Sequence, residues 1–284
     1  ASSIYTTRYL EEGEAVPAGY KSMADPIDPA KTLIFKDNSF KDELFRDTWW
    51  QNYYLGVNGG TDNVTYALSL GYMDDDGVAI GTGFNRYTIK ANTKIKATKR
   101  IDLTFSLNYS EANKEEFDNQ RNVISRGLAA APTQKIYMED GSPAPGYSAT
   151  SPNPVFYNYY NDQSKKTTYL TLSGSLKYKL YKGLALNAQG SVYRRRYDAN
   201  SFEKANKYSS ERTTSAVRNN LDRNKLDVFL SYRQTFKKQH SISLVGGYAY
   251  QDELSDRTTV SGYGGSTDKI TTLNGATTFD PNAT

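Results

Sequence analysis

Large apolar or aromatic side chains alternate with small or weakly polar ones from Val64 to Tyr72. Successive side chains of a β-strand point to opposite faces, so this two-residue period predicts a strand with one apolar face. The alternation returns about seven more times, and the connections between the returns are alternately very short and long. Paired antiparallel strands with two kinds of connection therefore constrain the fold more than any other feature.

Composition excludes several classes of function. The 284 residues include no cysteine, which excludes disulfides, thiolate metal sites and a cysteine nucleophile. They include one histidine, so a site that needs two histidines is also excluded. No nucleophile and base stand at a recognisable spacing, so we expect no enzymatic activity. The formal charge of +4 is too small to indicate a nucleic-acid partner. A mean hydropathy of -0.70 is usual for soluble proteins, but transmembrane β-barrels escape that inference because half of each strand faces a polar lumen.

The length of the predicted strands separates two all-β folds. Strands of soluble proteins average about 5 to 6 residues, whereas a tilted strand needs about 9 to 11 to cross a bilayer. The predicted strands are about 10 to 14 residues long, which favours an antiparallel transmembrane β-barrel with short periplasmic turns and long extracellular loops. The turns are predicted near residues 60, 99, 182 and 239, and the loops at 74–83, 111–167, 198–222 and from 252 onward.

The chain divides into two predicted parts. Residues 1–47 contain three of the nine prolines and no sustained period, so we predict an irregular extracellular loop segment. Residues 48–284 are predicted to hold the barrel strands with their turns and loops. Within the longest loop, residues 119–131 are predicted to form a short helix.

Four sequence blocks carry a family resemblance. They read NSFKDELFR from Asn38, QNYYLGVNGGT from Gln51, YALSLGY from Tyr66 with Asp-Gly-Val at 76–78, and FNRY from Phe84. In order and spacing these blocks resemble the early barrel of SusC/RagA-type TonB-linked outer-membrane transporters of Bacteroidota. The resemblance is specific over about residues 38–110 and weaker through the following loop.

The resemblance implies a location, partners and a mechanism. Such transporters are outer-membrane pores with a plug energised through TonB, and a SusD-like surface lipoprotein captures oligosaccharides or peptides above them. The family's plug and TonB-contacting segment are not visible here, and plugged barrels of this kind have 22 strands. We therefore expect about eight strands of a larger barrel, in contact with outer-membrane lipid and lipopolysaccharide, and no cofactor.

Two other functions fit parts of the pattern. A SusC-like protein without transport activity could serve as a structural or accessory subunit of another outer-membrane complex. A secreted β-sandwich or adhesin would be soluble without detergent, and the long predicted strands argue against it.

An aromatic cluster in the longest loop is the candidate substrate site. Aromatic faces stack on the apolar faces of sugars or side chains, and neighbouring amides and carboxylates direct hydrogen bonds. Packing within the loop, or the aromatic girdle of a barrel, explains the same residues without a ligand. The candidate substrate-binding residues are Tyr147, Phe156, Tyr157, Tyr159, Tyr160 and Asp162.

Two further charged clusters are candidate sites. Arg194 and Arg196 continue the apolar face of Val192, so they are predicted to contact lipopolysaccharide phosphates, with interfacial snorkelling as the alternative. Asp74, Asp75 and Asp76 lack the ligand spacing of an EF-hand loop. They are predicted to form a solvated turn rather than a metal site.

Overall fold

The N-terminal part of the chain folds into a small sheet and one helical turn. The computed structural model describes residues 4–116, 120–237 and 239–280, with only the backbone of residues 120–122. Three antiparallel strands, in the spatial order β1-β3-β2, are followed by helix α1. The prediction of an irregular segment over residues 1–47 missed these elements because strands of two to five residues are too short to show a period. The elements are β1 (Arg8–Tyr9), β2 (Tyr20–Ala24), β3 (Thr32–Lys36) and α1 (Phe40–Leu44).

Most of the remaining chain forms one antiparallel sheet of nine strands. Its spatial order is β14-β13-β12-β11-β10-β7-β6-β5-β4, so successive long strands are neighbours. The elements are β4 (Trp50–Gly60), β5 (Val64–Asp76), β6 (Gly83–Lys96), β7 (Ile101–Glu115), α2 (Gln120–Ala129), β8 (Gly146–Ser148), β9 (Ser151–Pro152), α3 (Pro154–Tyr160), β10 (Asn161–Tyr181), β11 (Leu184–Glu203), β12 (Thr213–Phe236), β13 (His240–Tyr263) and β14 (Thr278–Phe279).

The strand registers place all the apolar alternations on one side of the sheet, which we call the outer face. Val57 pairs with Leu68, Leu68 with Ala91, and Ala91 with Leu107. The row continues through Leu172 to Val192. The opposite, inner face carries the intervening residues, which are mainly Ser, Thr, Asn and charged side chains. The predicted two-faced sheet is thus confirmed over all eight long strands.

The apolar belt of the outer face runs obliquely to the hydrogen-bonded rows. The row that contains Leu55 and Leu70 is apolar as far as Leu170, but it then reaches Arg194 and Asp222. On β13 the apolar side chains lie nearer the turn end, from Ile242 onward. Such a displacement from strand to strand is what tilted strands of a barrel wall require. Among the described residues β4 pairs with β5 alone, so the sheet is open along that edge.

All four predicted short turns are confirmed. At the turn between β10 and β11, Gly183 has a backbone φ of +80°, which residues other than glycine rarely adopt. A Cβ atom there would also collide with the carbonyl oxygen of Arg233. The other three turns connect β4 to β5, β6 to β7, and β12 to β13.

The strands extend farther toward the loop end than predicted. Residues 198–203 and 213–222, expected in a loop, belong to β11 and β12, and residues 198–203 pair with 213–218. Residues 252–263, expected in the last loop, belong to β13. Their polar side chains on both faces hide the two-residue period, although backbone pairing continues. None of the described helices is long and apolar enough to cross a membrane.

The loops at the far end of the sheet pack into one body, which we call the cap (residues 4–47, 77–82 and 120–160). Backbone hydrogen bonds join its segments, for example from Thr6 N to Thr133 O (2.8 Å) and from Ile80 N to Leu44 O (2.9 Å). The predicted helix at 119–131 is present as α2, with residue 119 outside the described part. The buried apolar core of the cap consists of Phe40, Leu44, Ala79, Val123, Ile136 and Val155.

Candidate functional site

Asn153 fixes the position of helix α3, which carries most of the candidate aromatic side chains. It is fully buried and caps the helix by accepting a hydrogen bond from Val155 N (2.9 Å) through Oδ1. Its Nδ2 donates to Ile136 O (2.8 Å), and its backbone N–H donates to Pro145 O (3.1 Å). Pro154 suits the first helical position because that residue has no intrahelical N–H bond to lose. The helix therefore starts at one fixed point inside the cap.

One of the six candidate substrate residues is buried in the cap, and a second is partly buried there. Phe156 is 5% exposed, and its ring centroid lies 4.4 Å from that of Tyr160 and 5.6 Å from that of Tyr208. Tyr157 is partly buried against the core of the cap. The ring of Phe156 is therefore used in packing within the loop, the alternative that the sequence left open, and substrate binding by these side chains stays a prediction.

The other candidate residues do not form one cluster. Tyr159 is 55% exposed, and the Lys204 ammonium lies 5.3 Å from its ring centroid. Lys204 also pairs with Asp162 at 3.1 Å. Tyr147 lies elsewhere on the cap, where its hydroxyl shares a 2.5 Å hydrogen bond with the hydroxyl of Tyr5. Lys204 thus places Tyr159 and Asp162 in one region of the surface, away from Tyr147.

A cavity of about 400 Å³ lies between α3 and the loop ends of β10, β11 and β12. Phe156, Tyr157 and Asp162 line it together with Asn206 and Tyr208. Sequence reasoning missed Tyr208, because the loop that carries it is separated from α3 by the whole β10–β11 hairpin. Burial raises the pKa of Tyr208, and its hydroxyl donates to Pro145 O (2.9 Å). The lining of the cavity thus combines the aromatic rings of Phe156, Tyr157 and Tyr208 with the polar side chains of Asp162 and Asn206.

Tyr137 joins two parts of the cap that are far apart in sequence. Its hydroxyl donates to a carboxylate oxygen of Glu43 at 2.7 Å. Burial and this hydrogen bond raise the pKa of Tyr137 to about 12. Tyr137 therefore ties the connection between β7 and β10 to helix α1 in its neutral, protonated form.

The two arginines predicted to contact lipopolysaccharide share one carboxylate. Arg196 binds both carboxylate oxygens of Asp222, and Arg194 Nε lies 3.6 Å from the same group. Arg194 also donates to the side chain of Asn224 at 3.0 Å. Both side chains lie on the outer face immediately beyond the apolar belt, and their two charges exceed the single charge of Asp222.

The triple aspartate is part of a strand instead of a turn. Asp74, Asp75 and Asp76 end β5 and pair with residues 83–85 of β6. Continued backbone pairing decides this local structure, although the side chains are polar. In the part of the chain that the structure describes, no three Asp, Glu or His side chains are grouped as metal ligands.

The chain is similar in sequence to receptors of Bacteroidota. It is 25% identical over 240 residues to TonB-dependent receptor P3 of Formosa agariphila, which covers 76% of this chain and 23% of that protein. It is 29% identical over 127 residues to TonB-dependent receptor P26 of the same organism, covering 44% and 12%. SusC of Bacteroides thetaiotaomicron is 29% identical over 105 residues, covering 37% and 10%. The chain thus spans less than a quarter of the length of these relatives.

The fold also matches solved structures. A chain in the structure of the RagAB peptide transporter superposes with a TM-score of 0.72 at 20% identity, over 85% of this chain and 28% of that chain. The open-open state of the RagAB peptide importer gives 0.72 at 19% identity, over 86% and 28%. No protein-family model matches the chain.

These relatives are TonB-dependent receptors and transporters of the outer membrane rather than enzymes, as the sequence blocks predicted. The likeness in fold extends over most of the described sheet, far beyond the residues that carried the resemblance. The resemblance of this chain to part of the barrel of SusC/RagA-type TonB-linked outer-membrane transporters is therefore confirmed.

Proposed function

We propose that the chain forms part of the barrel wall and external loops of a SusC-like TonB-dependent importer of oligosaccharides or peptides. The observation that best supports this proposal is the continuous antiparallel sheet, which has an apolar outer face and a polar inner face. An apolar outer face suits lipid, and a polar inner face suits a hydrated passage. The short turns are proposed to face the periplasm and the cap to face outside.

The cap supports a role at the entrance of that passage. Six apolar side chains of the cap pack into its own buried core. Tyr159, Asp162 and the cavity beside α3 remain accessible at the loop end of the sheet. We propose that these groups contact substrate or a SusD-like lipoprotein that delivers it, and that the energy for import comes through TonB and a plug contributed by other parts of the receptor.

Uptake by the complete receptor tests this proposal. Cells that express the receptor should accumulate its oligomeric substrate only when TonB is present. Deletion of residues 120–158, which removes most of the cap, should abolish or strongly reduce uptake while the barrel still reaches the outer membrane. Substrate accumulation that is independent of TonB would contradict the proposal. Absence of any accumulation, with the receptor stably incorporated in an outer-membrane complex, would favour the structural-subunit function.

A simpler test addresses the barrel itself. Refolded in detergent, the complete receptor should migrate differently on a gel before and after boiling, because a closed barrel resists the detergent until it is heated. Equal mobility under both conditions would contradict a barrel wall.

A further inference from the structure

The two faces of the sheet carry opposite net charge. Thirteen Lys and Arg side chains and five Asp and Glu side chains lie on the inner face, as fixed by the strand registers. On the outer face the numbers are four and nine. The modest net charge of the chain therefore hides a strongly basic inner wall.

The cations on the two faces also differ in their partners. All four outer-face cations, Lys166, Arg194, Arg196 and Arg218, lie within 4.0 Å of a carboxylate. On the inner face, only four of the thirteen form an ion pair among the described residues. Every outer-face cation thus lies beside a carboxylate, whereas most inner-face cations do not. An uncompensated basic wall attracts anions and concentrates them.

Two of the inner-face cations, Arg86 and Lys90, border a pocket. A depression of about 550 Å³ on the inner face is bordered by both side chains and by Tyr54, whose ring side chain is 75% exposed. Arg86 and Lys90 are four residues apart on β6, about 13 Å along the strand. Such a separation suits charges on different units of an oligomer better than one small ion.

The remaining lining of the pocket is rich in groups that hydrogen-bond to hydroxyls. Asn52, Ser69, Thr88 and Ser110 border the same space. An exposed aromatic ring beside several hydroxyl and amide groups matches a sugar, which has an apolar face and many hydroxyls. The Arg86 guanidinium is steadied by Met73 Sδ at 3.9 Å and by the ring of Phe84, whose centroid is 6.0 Å away. Neither partner carries a negative charge, so the guanidinium keeps its attraction for anions.

We propose that the inner face binds acidic oligosaccharides, with Arg86 and Lys90 contacting their carboxylate or sulfate groups and Tyr54 supporting a sugar ring. This inference rests on the proposed import function and specifies its substrate class. The hydroxyl-rich lining favours a saccharide over an acidic peptide, which would bring the same charge without the ring hydroxyls.

Binding to the purified complete receptor tests the proposal with three probes: a hexamer of galacturonic acid, neutral maltohexaose and hexaglutamate. The uronate should bind at least about tenfold more tightly than the other two, and added salt should weaken its binding. The double variant Arg86→Gln/Lys90→Gln should lose about tenfold in uronate affinity, whereas the exchange Arg86→Lys/Lys90→Arg should retain most of it. Lys166→Gln/Arg218→Gln removes one lysine and one arginine from the outer face and should leave the affinity unchanged.

Each result decides the proposal. Equal or tighter binding of maltohexaose or hexaglutamate, or unchanged uronate affinity in Arg86→Gln/Lys90→Gln, overturns it. Absence of uronate binding also overturns it. Failure of the import function is recognised separately, because a receptor that binds uronate but does not accumulate it in a TonB-dependent way refutes import while leaving the binding selectivity intact.

Discussion

Leucines in the cap and in the sheet have opposite surroundings. Leu44, in the cap, is 2% exposed, whereas Leu55 and Leu244 on the outer face of the sheet are 69% and 62% exposed. The cap removes its core apolar side chains from water by packing them against one another. The sheet presents them outward, where only an apolar external phase can remove them from water. The cap thus carries its own core, while the sheet depends on the membrane.

The largest expected effect is on the core of the cap. Leu44→Ala should cost about 2 to 5 kcal/mol of local stability, because it leaves a cavity beside α2 and α3. Hydrogen–deuterium exchange of the complete receptor should then show faster exchange in residues 123–136. Leu244→Ala, on the outer face, is the matched control and should leave exchange in the cap unchanged. Equal acceleration by both variants would contradict the separation of the two regions.

A charge on the outer face should reveal the dependence of the sheet on lipid. Leu176→Arg places a cation in the middle of the apolar belt and should cost about 2 to 4 kcal/mol when the receptor is unfolded from lipid bilayers by denaturant. Ser175→Arg, the adjacent residue on the inner face, should change that free energy by less than about 1 kcal/mol. The reverse order of costs would mean that the faces have been assigned the wrong way round.

A smaller effect is expected from the hydrogen bond between Tyr137 and Glu43. The pKa of Tyr137 is raised to about 12 in the folded cap, so its contribution is complete below pH 10 and is lost as the pH rises toward 12. Tyr137→Phe should cost the cap about 1 kcal/mol near neutral pH, since the phenol is partly exposed. The difference in tyrosinate absorbance between the two proteins should titrate near pH 12. A difference centred near pH 10 would contradict the folded-state contact.

The smallest effect on stability is expected at the border of the belt. Arg194→Gln/Arg196→Gln should change the unfolding free energy by less than about 1 kcal/mol, but it should reduce the lipopolysaccharide that copurifies with the receptor. Arg195→Gln changes the intervening residue on the inner face and should leave retention unchanged. Unchanged retention in the double variant would contradict the lipid contact and leave the ion pair with Asp222 as the role of these side chains.

The sheet was largely predictable because its apolar belt repeats a local pattern. The alternation of Tyr66, Leu68 and Leu70 within one strand predicts that they lie on the same side of the sheet. The short turns predict which strands are neighbours. Prediction failed where the pattern stopped while pairing continued. Thr214 to Asn220, for example, read as a polar loop, yet they extend β12 through backbone hydrogen bonds to β11 and β13.

The cap was less predictable because its contacts join distant parts of the chain. The tetrad of Phe40, Leu44, Val123 and Val155 gives no short-range signal, since its members come from three helices that are each too short to predict a packing partner. The aromatic candidates lie in the loop between β7 and β10, but the burial of Phe156 depends on Tyr208 and on the position at which Asn153 starts the helix. The sequence could not separate packing of Phe156 from a substrate-stacking role for that reason.

The shared core of the cap has a mechanical consequence. Ala79 and Ile80, in the connection between β5 and β6, bind and pack against the end of α1, while α1 contacts both α2 and α3. A force that displaces any one of these connections must be transmitted to the others before their common core separates. We therefore expect the N-terminal segment, the β5–β6 connection and the β7–β10 connection to move together as one rigid body.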